Sequence, residues 1–157
     1  MTHTISQICV VSRDMEKTVH EYQRRLGWTD WSVFEYTAPL LHDTYLRGVP
    51  TDYEMFAAET MVNGLGFEVI QPTKGNSIYH EFIEEHGEGV HHLAVMKHTR
   101  EQSLAFLEAI DAPKLMSGRI GDNIEFYYLD TELPLKVSIE SGTGHAIELK
   151  PTRYIRG

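Results

Sequence analysis

Residues 90–113 are VHHLAVMKHTREQSLAFLEAIDAP, an apolar strand candidate followed by a helix candidate. Thr99 is a suitable N-cap, and Pro113 cannot continue a helix and is expected to end it. Apolar residues recur at helical spacing between them: Leu104, Leu107 and Ile110. This strand–helix unit decides the fold, because the chain contains it twice.

The first copy is ISQICVVS (5–12) followed by RDMEKTVHEYQRRLGW (13–28). Asp14 is the expected N-cap and Gly27 the expected stop. Gln7 precedes Asp14 by seven residues, as His92 precedes Thr99 by seven. The two units therefore superpose in spacing, and Gln7 and His92 occupy matched positions.

Further strand candidates follow each unit. In the first half they are WSVFEYT, DYEMFAAET and LGFEVIQP; in the second they are KLMSGRI, IEFYYLD, PLKVSIES and HAIELK. A linker helix is expected at about 76–87, capped by Asn76 or Ser77 and stopped by Gly87. The pattern predicts a single α+β domain over 1–157, with two paired βαβββ modules (about 4–72 and 89–150) forming a curved mixed sheet. The alternative is an ordinary α+β domain without a true repeat.

Composition excludes several classes of protein. The chain has 157 residues and a formal net charge of −9, and it lacks the Lys/Arg clusters on which nucleic-acid affinity depends. One cysteine, Cys9, cannot form an internal disulfide framework. No basic leader and no apolar run of membrane-spanning length is evident. We expect a cytoplasmic protein that acts on a small molecule.

Four polar residues fall on apolar strands at matched places: Gln7, Glu68, His92 and Glu140. A carboxylate is costly to bury on such a strand unless it is paired or binds a metal ion. Together the four form a nitrogen and oxygen ligand set with two negative charges, suited to Zn, Ni, Co, Mn or Mg. Each residue alone has a simpler explanation, as a packed or solvated side chain. Strand alternation predicts that His91 points to the face opposite His92, into packing or a supporting hydrogen bond.

Two other regions offer candidate substrate contacts. The first half carries an insertion, APLLHDTYLRGVP, which includes His42, Tyr45 and Arg47. Long insertions in compact domains are often functional, although this one could equally be a surface excursion. The second region is the aromatic run at residues 126–128, from which Tyr127 is a candidate.

Several segments carry a family resemblance: FEVIQPTKGNSIYHEFIEEHGEGVHHLAV, SGRIG, YLDTELPLKVSIES and the opening QICVVSRDMEKTVHEYQRRLGW. With these, the chain resembles the vicinal oxygen chelate (glyoxalase/bleomycin resistance/dioxygenase) superfamily, especially methylmalonyl-CoA epimerase-like and glyoxalase-like proteins. The resemblance implies paired modules around a divalent metal ion, held by Gln7, Glu68, His92 and Glu140. Paired modules in this superfamily also suit a homodimer.

The resemblance leaves two ligand questions open. Epimerases of this type usually have His at the position of Gln7, whereas glyoxalase I enzymes can have Gln there. Glu148 competes with Glu140 as the fourth ligand, but the family's spacing from His92 favours Glu140.

The chemistry implied is removal of a proton next to a carbonyl group, with Glu140 as the first choice of base and Glu68 as the second. We expect an epimerase or isomerase acting on a small carbonyl compound, which an acyl-CoA would satisfy. The alternatives are a glyoxalase I-type lyase acting on a hemithioacetal and a non-catalytic small-molecule (drug) binding protein. An iron-dependent ring-cleaving dioxygenase is disfavoured, because it would need His in place of Gln7.

Overall fold

A computed structural model of the protein describes residues 2–144 and 149–157. The strands are β1 (Gln7–Val11), β2 (Asp30–Tyr36), β3 (Leu41–Leu46), β4 (Val49–Pro50), β5 (Tyr53–Val62), β6 (Leu65–Gly75), β7 (Gly89–Ala94), β8 (Lys114–Ile120), β9 (Ile124–Leu129), β10 (Ser138–Thr143) and β11 (Arg153–Arg156). The helices are α1 (Met15–Leu26), α2 (Ile78–His86), α3 (Arg100–Ile110) and α4 (Glu132–Leu135). Most of the candidate strand HAIELK lies outside the described residues. Within them, no helix is both long and apolar enough to cross a membrane.

The strands form one curled mixed sheet in the order β11-β2-β5-β6-β1-β7-β10-β9-β8-β3-β4. Strand β1 is parallel to β6, and β7 is parallel to β10 in the same way. The two halves meet where β1 and β7 pair antiparallel. The predicted α+β class and curved mixed sheet are confirmed.

The helices begin where their caps were predicted. The Asp14 carboxylate accepts the backbone N–H of Lys17 at 3.0 Å, and Gly27 ends α1 in the left-handed conformation at φ 69°. Ser77 caps α2 and Thr99 caps α3. Helix α1 buries an apolar face against the first half of the sheet, and its cluster comprises Met15, Val19, Trp31, Val33, Ala58, Val69 and Ile155.

Helix α3 packs on the second half of the sheet with two of its three predicted apolar residues, Leu107 and Ile110, but not with Leu104. Phe106 is buried, whereas Leu104 is 53% exposed. Leu107 and Ile110 lie at the margin of the same cluster. The large Phe106 ring centres the helix on the sheet and turns Leu104 outward.

Each half of the sheet is extended by a strand from the other half. The insertion forms a hairpin whose β3 pairs with β8 of the second half, and the C-terminal β11 pairs with β2 of the first half. Neither pairing was predicted, since both join segments far apart in the sequence. Residues 134–137, predicted as strand, instead belong to the short α4 and the turn that follows it.

Candidate metal centre

The four candidate ligands occupy equivalent positions in the two parallel strand pairs, β1–β6 and β7–β10. Gln7 pairs with Gly66 as His92 pairs with Ser138. Likewise Glu68 lies opposite Cys9, and Glu140 lies opposite Ala94. The matched positions inferred from helix spacing are therefore matched in the sheet as well.

His92 is the centre of the cluster. It is fully buried, and its Nε2 lies 3.1 Å from Glu140 Oε2 and 3.7 Å from Glu68 Oε2. Despite these distances, Nε2 makes no hydrogen bond, because the geometry is unsuitable. A buried ring nitrogen without a partner is unusual and calls for a physical explanation.

Glu59 is a further acidic residue of the site that the sequence reasoning missed. It lies on β5 directly opposite Glu68, and Tyr36 Oη is 3.5 Å from its Oε1. Burial raises the pKa of Glu59 and raises that of Glu68 further, with a contribution at Glu68 from the charges of Glu59 and Glu140.

A signal for Glu59 was present in the sequence. Asn63 and Gly64 form the two-residue turn between β5 and β6, both with positive φ, and Asn-Gly is the preferred sequence for such a turn. Counting back equally on both strands from this turn places Glu59 opposite Glu68.

Cys9 also faces the cluster. Its Sγ lies within 4.8 Å of the nearest donor atoms of Glu68 and His92, and the residue is fully buried. Burial, followed by the charge of Glu68, raises the pKa of the Cys9 thiol well above its ordinary value. Cys9 is thus a neutral sulfur next to Glu68 and His92, whereas the sequence analysis used it only to exclude a disulfide framework.

His91 does not point away from His92, so the predicted orientation was wrong, whereas the predicted packing and supporting hydrogen bond are present. A β-bulge leaves His91 without a partner on β1: Cys9 pairs with His92, and Val10 pairs with Val90. The two imidazole Nδ1 atoms are 2.9 Å apart, and both rings contact Tyr128. Burial and the neighbouring His92 hold the pKa of His91 well below its ordinary value.

An open cleft of about 760 Å³ lies over the cluster. Gln7, Glu59, Glu68 and Glu140 line it together with apolar side chains. This size and mixed lining are typical of small-molecule sites. The apolar wall includes Phe34, Met55, Ile70, Ile120, Phe126 and Leu149.

The other candidate substrate contacts are not among the described residues that line this cleft. His42 hydrogen-bonds the Gly121 carbonyl, and Arg47 forms a bidentate ion pair with Glu81. Both belong to the hairpin that extends the edge of the sheet, as does the half-exposed Tyr45.

Tyr127, the candidate from the aromatic run, is not among the described residues that line the cleft. Its hydroxyl interacts with Ser103 of α3, on the outer face of the sheet. Phe126 and Tyr128 line the cleft instead, because Tyr128 pairs with Glu140 and shares its face.

The donor set fits a divalent cation. An imidazole nitrogen without a hydrogen-bond partner faces the buried carboxyl group of Glu68 and the mostly buried one of Glu140, which repel each other, and a cation between them would satisfy all three. The residues Gln7, Glu68, His92 and Glu140 would hold it. Glu148, the alternative fourth ligand, lies outside the described residues.

Known proteins share this architecture. A hypothetical protein from Bacillus halodurans C-125 is 13% identical, with 96% of this chain and 100% of that chain covered at a TM-score of 0.63. A methylmalonyl-CoA epimerase in complex with methylmalonyl-CoA and NH4+ is 22% identical. The match covers 96% of this chain and 100% of that chain, with a TM-score of 0.57. The methylmalonyl-CoA epimerase from Mycobacterium tuberculosis is 13% identical. The match covers 88% of this chain and 86% of that chain, with a TM-score of 0.58.

At these identities, the structural likeness shows the fold alone. No match was found among curated proteins. The family model described as Glyoxalase/Bleomycin resistance protein/Dioxygenase superfamily matches residues 6–128, which include strands β1 to β8, helices α1 to α3 and most of β9. The chain therefore belongs to the glyoxalase/bleomycin resistance protein/dioxygenase superfamily.

Proposed function

We propose that this protein is a metal-dependent enzyme that moves a proton on the carbon next to a carbonyl group, as an epimerase or isomerase does. The observation that carries the proposal is the meeting of three carboxyl groups with an unpartnered imidazole nitrogen beneath a cleft of small-molecule size. The superfamily typically binds a divalent metal ion, and epimerases are among the proteins that share the fold.

Four side chains serve to bind the cation. His92 contributes Nε2, Glu68 and Glu140 contribute carboxylate oxygens beside it, and Gln7 contributes an amide oxygen from the cleft wall. The two carboxylates balance the charge of a divalent ion. Such an ion would stabilise the negative charge that develops on the substrate carbonyl oxygen when the neighbouring carbon loses its proton.

Glu59 is the base in this proposal. Glu68 and Glu140 are the two carboxyl groups beside His92 Nε2, so we assign them to the cation rather than to the proton. Glu59 lines the cleft beside Glu68, and the hydroxyl of Tyr36 lies 3.5 Å from its Oε1. We therefore propose Glu59 as the base in place of Glu140 or Glu68, which the sequence alone favoured.

The apolar wall of the cleft would hold the carbon skeleton of the substrate and limit the access of water to the reacting carbon. A small 2-substituted carbonyl compound satisfies both the wall and the polar floor. Because one structure of the same fold contains methylmalonyl-CoA, 2-substituted acyl-CoAs are the first compounds to test.

The test is exchange of the substrate α-proton in D2O, followed by NMR, after metal analysis of the purified protein. Glu59→Gln should slow the exchange by about 100-fold or more, the usual contribution of a general base, and should leave the metal content unchanged. The matched control is Glu35→Gln on β2, because its neighbours Phe34 and Tyr36 line the cleft and Glu35 does not.

Two results would contradict the proposal: wild-type protein that binds no divalent ion, or exchange that survives Glu59→Gln within a few-fold. Incubation with hemithioacetals forms a second arm of the screen. Conversion of a hemithioacetal to a thioester, without exchange of any acyl-CoA, would identify a glyoxalase-type lyase. Tight binding of apolar compounds without metal or turnover would identify a binding protein.

A further inference from the structure

The His91–His92 contact has no role in the function proposed above, yet it is a short polar contact inside the site. The Nδ1 atoms are 2.9 Å apart, so one ring must donate a proton to the other. Which ring donates decides whether His92 Nε2 carries a hydrogen or a free lone pair.

One further contact, and one missing hydrogen bond, favour a single direction. The His91 ring hydrogen-bonds the backbone carbonyl of Ile78, at the start of the linker helix α2, so one of its nitrogens must carry a hydrogen for that bond. His92 Nε2, in contrast, makes no hydrogen bond to either carboxyl beside it.

We propose that His91 is a positioning residue that fixes the tautomer of His92. His91 Nε2–H donates to the Ile78 carbonyl, which leaves His91 Nδ1 as an acceptor. His92 Nδ1–H then donates to His91, and the lone pair of His92 Nε2 faces Glu68 and Glu140. In metal sites, a hydrogen bond from the second ring nitrogen holds a histidine ligand in this way.

The surroundings hold both rings in place. His91 makes edge contacts with Tyr79 and Phe82 of α2, with ring centroids 5.3 Å and 5.1 Å away. Tyr79 and Tyr128 are joined by a 2.6 Å hydrogen bond between their hydroxyls, and Tyr128 packs on His92. The β-bulge thus serves to bring a second imidazole onto the face of the first, where it anchors the site to the linker helix.

The first experiment needs no metal. Long-range ¹H–¹⁵N NMR of the metal-free protein, with labelled histidine and at a pH where both rings are neutral, reports which nitrogen carries each hydrogen. We expect His92 to be the Nδ1–H tautomer and His91 the Nε2–H tautomer. Predominance of the Nε2–H tautomer of His92 would overturn the inference.

A pair of variants separates positioning from packing. In His91→Asn, the amide oxygen stands near the place of Nδ1 and can still accept from His92; in His91→Gln, the amide reaches toward Ile78 but offers no acceptor at that place. We expect His91→Gln to weaken Co²⁺ binding, followed by visible absorption, about 10- to 100-fold, the usual effect of losing such a partner. His91→Asn should weaken Co²⁺ binding much less.

Equal losses in the two variants would mean that His91 only fills space, and would overturn the inference. Thermal unfolding of both checks that they fold; if His91→Gln does not, the NMR result on wild-type protein decides alone. The Co²⁺-binding experiment rests on the proposed metal site, but the NMR measurement of the tautomers does not. A wild-type protein that binds no cation would therefore refute the proposed function while the tautomers still test the role of His91.

Discussion

Gln7 is the side chain with most influence on which cation this site would prefer. It lines the cleft and is matched to His92 in the sheet, yet it offers a neutral amide oxygen instead of an imidazole nitrogen. Oxygen ligands suit Mg and Mn, whereas imidazole suits Zn, Ni and Co. With one imidazole and three oxygen donors, the site should be less selective for Zn or Co than a site with two histidines.

Gln7→His should therefore strengthen Co²⁺ and Zn²⁺ binding by about tenfold, with little change for Mn²⁺. The quantity to follow is the ratio of the Zn²⁺ affinity to the Mn²⁺ affinity, measured by competition with a chelator. A general loss of folded protein would lower both affinities and leave this ratio unchanged. Gln7→Ala should weaken all three ions. An unchanged Zn/Mn ratio in Gln7→His would show that residue 7 does not reach the cation.

The β5–β6 hairpin is the element that sets two acidic side chains side by side. Its turn residues Asn63 and Gly64 adopt φ 50° and 82°, and the strands then pair without a shift through Glu59 and Glu68. A side chain added at Gly64 would meet nothing within 4 Å, so any cost of substitution there comes from the backbone conformation alone. A substitution at Gly64 therefore measures the free-energy cost of the positive φ without a contribution from steric clashes.

Gly64→Ala should destabilise the protein by about 1–2 kcal/mol, because residues other than Gly, Asn and Asp rarely adopt this left-handed conformation. Gly64→Asn is the matched control and should cost clearly less, since Asn tolerates positive φ. Urea unfolding measures both. Equal stability of the Ala variant and the wild type would show that the turn does not constrain the hairpin.

The exchange of edge strands couples the two halves of the whole molecule. The C-terminal β11 belongs to the end of the second half, yet Ile155 packs in the α1 cluster of the first half. An ion pair of 2.6 Å between Arg153 and Glu16 adds a contact to α1. Its exposed position makes it a minor contributor next to the apolar burial.

Ile155→Ala should reduce the free energy of unfolding by about 2–4 kcal/mol, as expected for truncation of a buried aliphatic side chain. The neighbouring Tyr154 is 55% exposed, and Tyr154→Ala should change stability by no more than about 0.5 kcal/mol. Urea unfolding compares the two. If both substitutions had the same small effect, β11 would not contribute to the core.

Local patterns predicted much of the fold. Asp14, Ser77 and Thr99 cap helices because a short polar side chain before an apolar periodic run satisfies the first backbone N–H groups. The matched positions of Gln7 and His92 followed from spacing to those caps, and the sheet register agrees with them. Glu59 was also within reach of the sequence, through the Asn-Gly turn.

The sequence thus determined the two strand–helix units, their caps and the spacing that matches Gln7 to His92, because each depends on residues close together in the chain. Only the tertiary structure decided that Cys9 faces the site, that His91 shares a face with His92, and that β3 and β11 exchange between the halves. These features depend on the register between distant strands and on one bulge, and hydrogen bonds between backbones set both without a signature in the side-chain pattern.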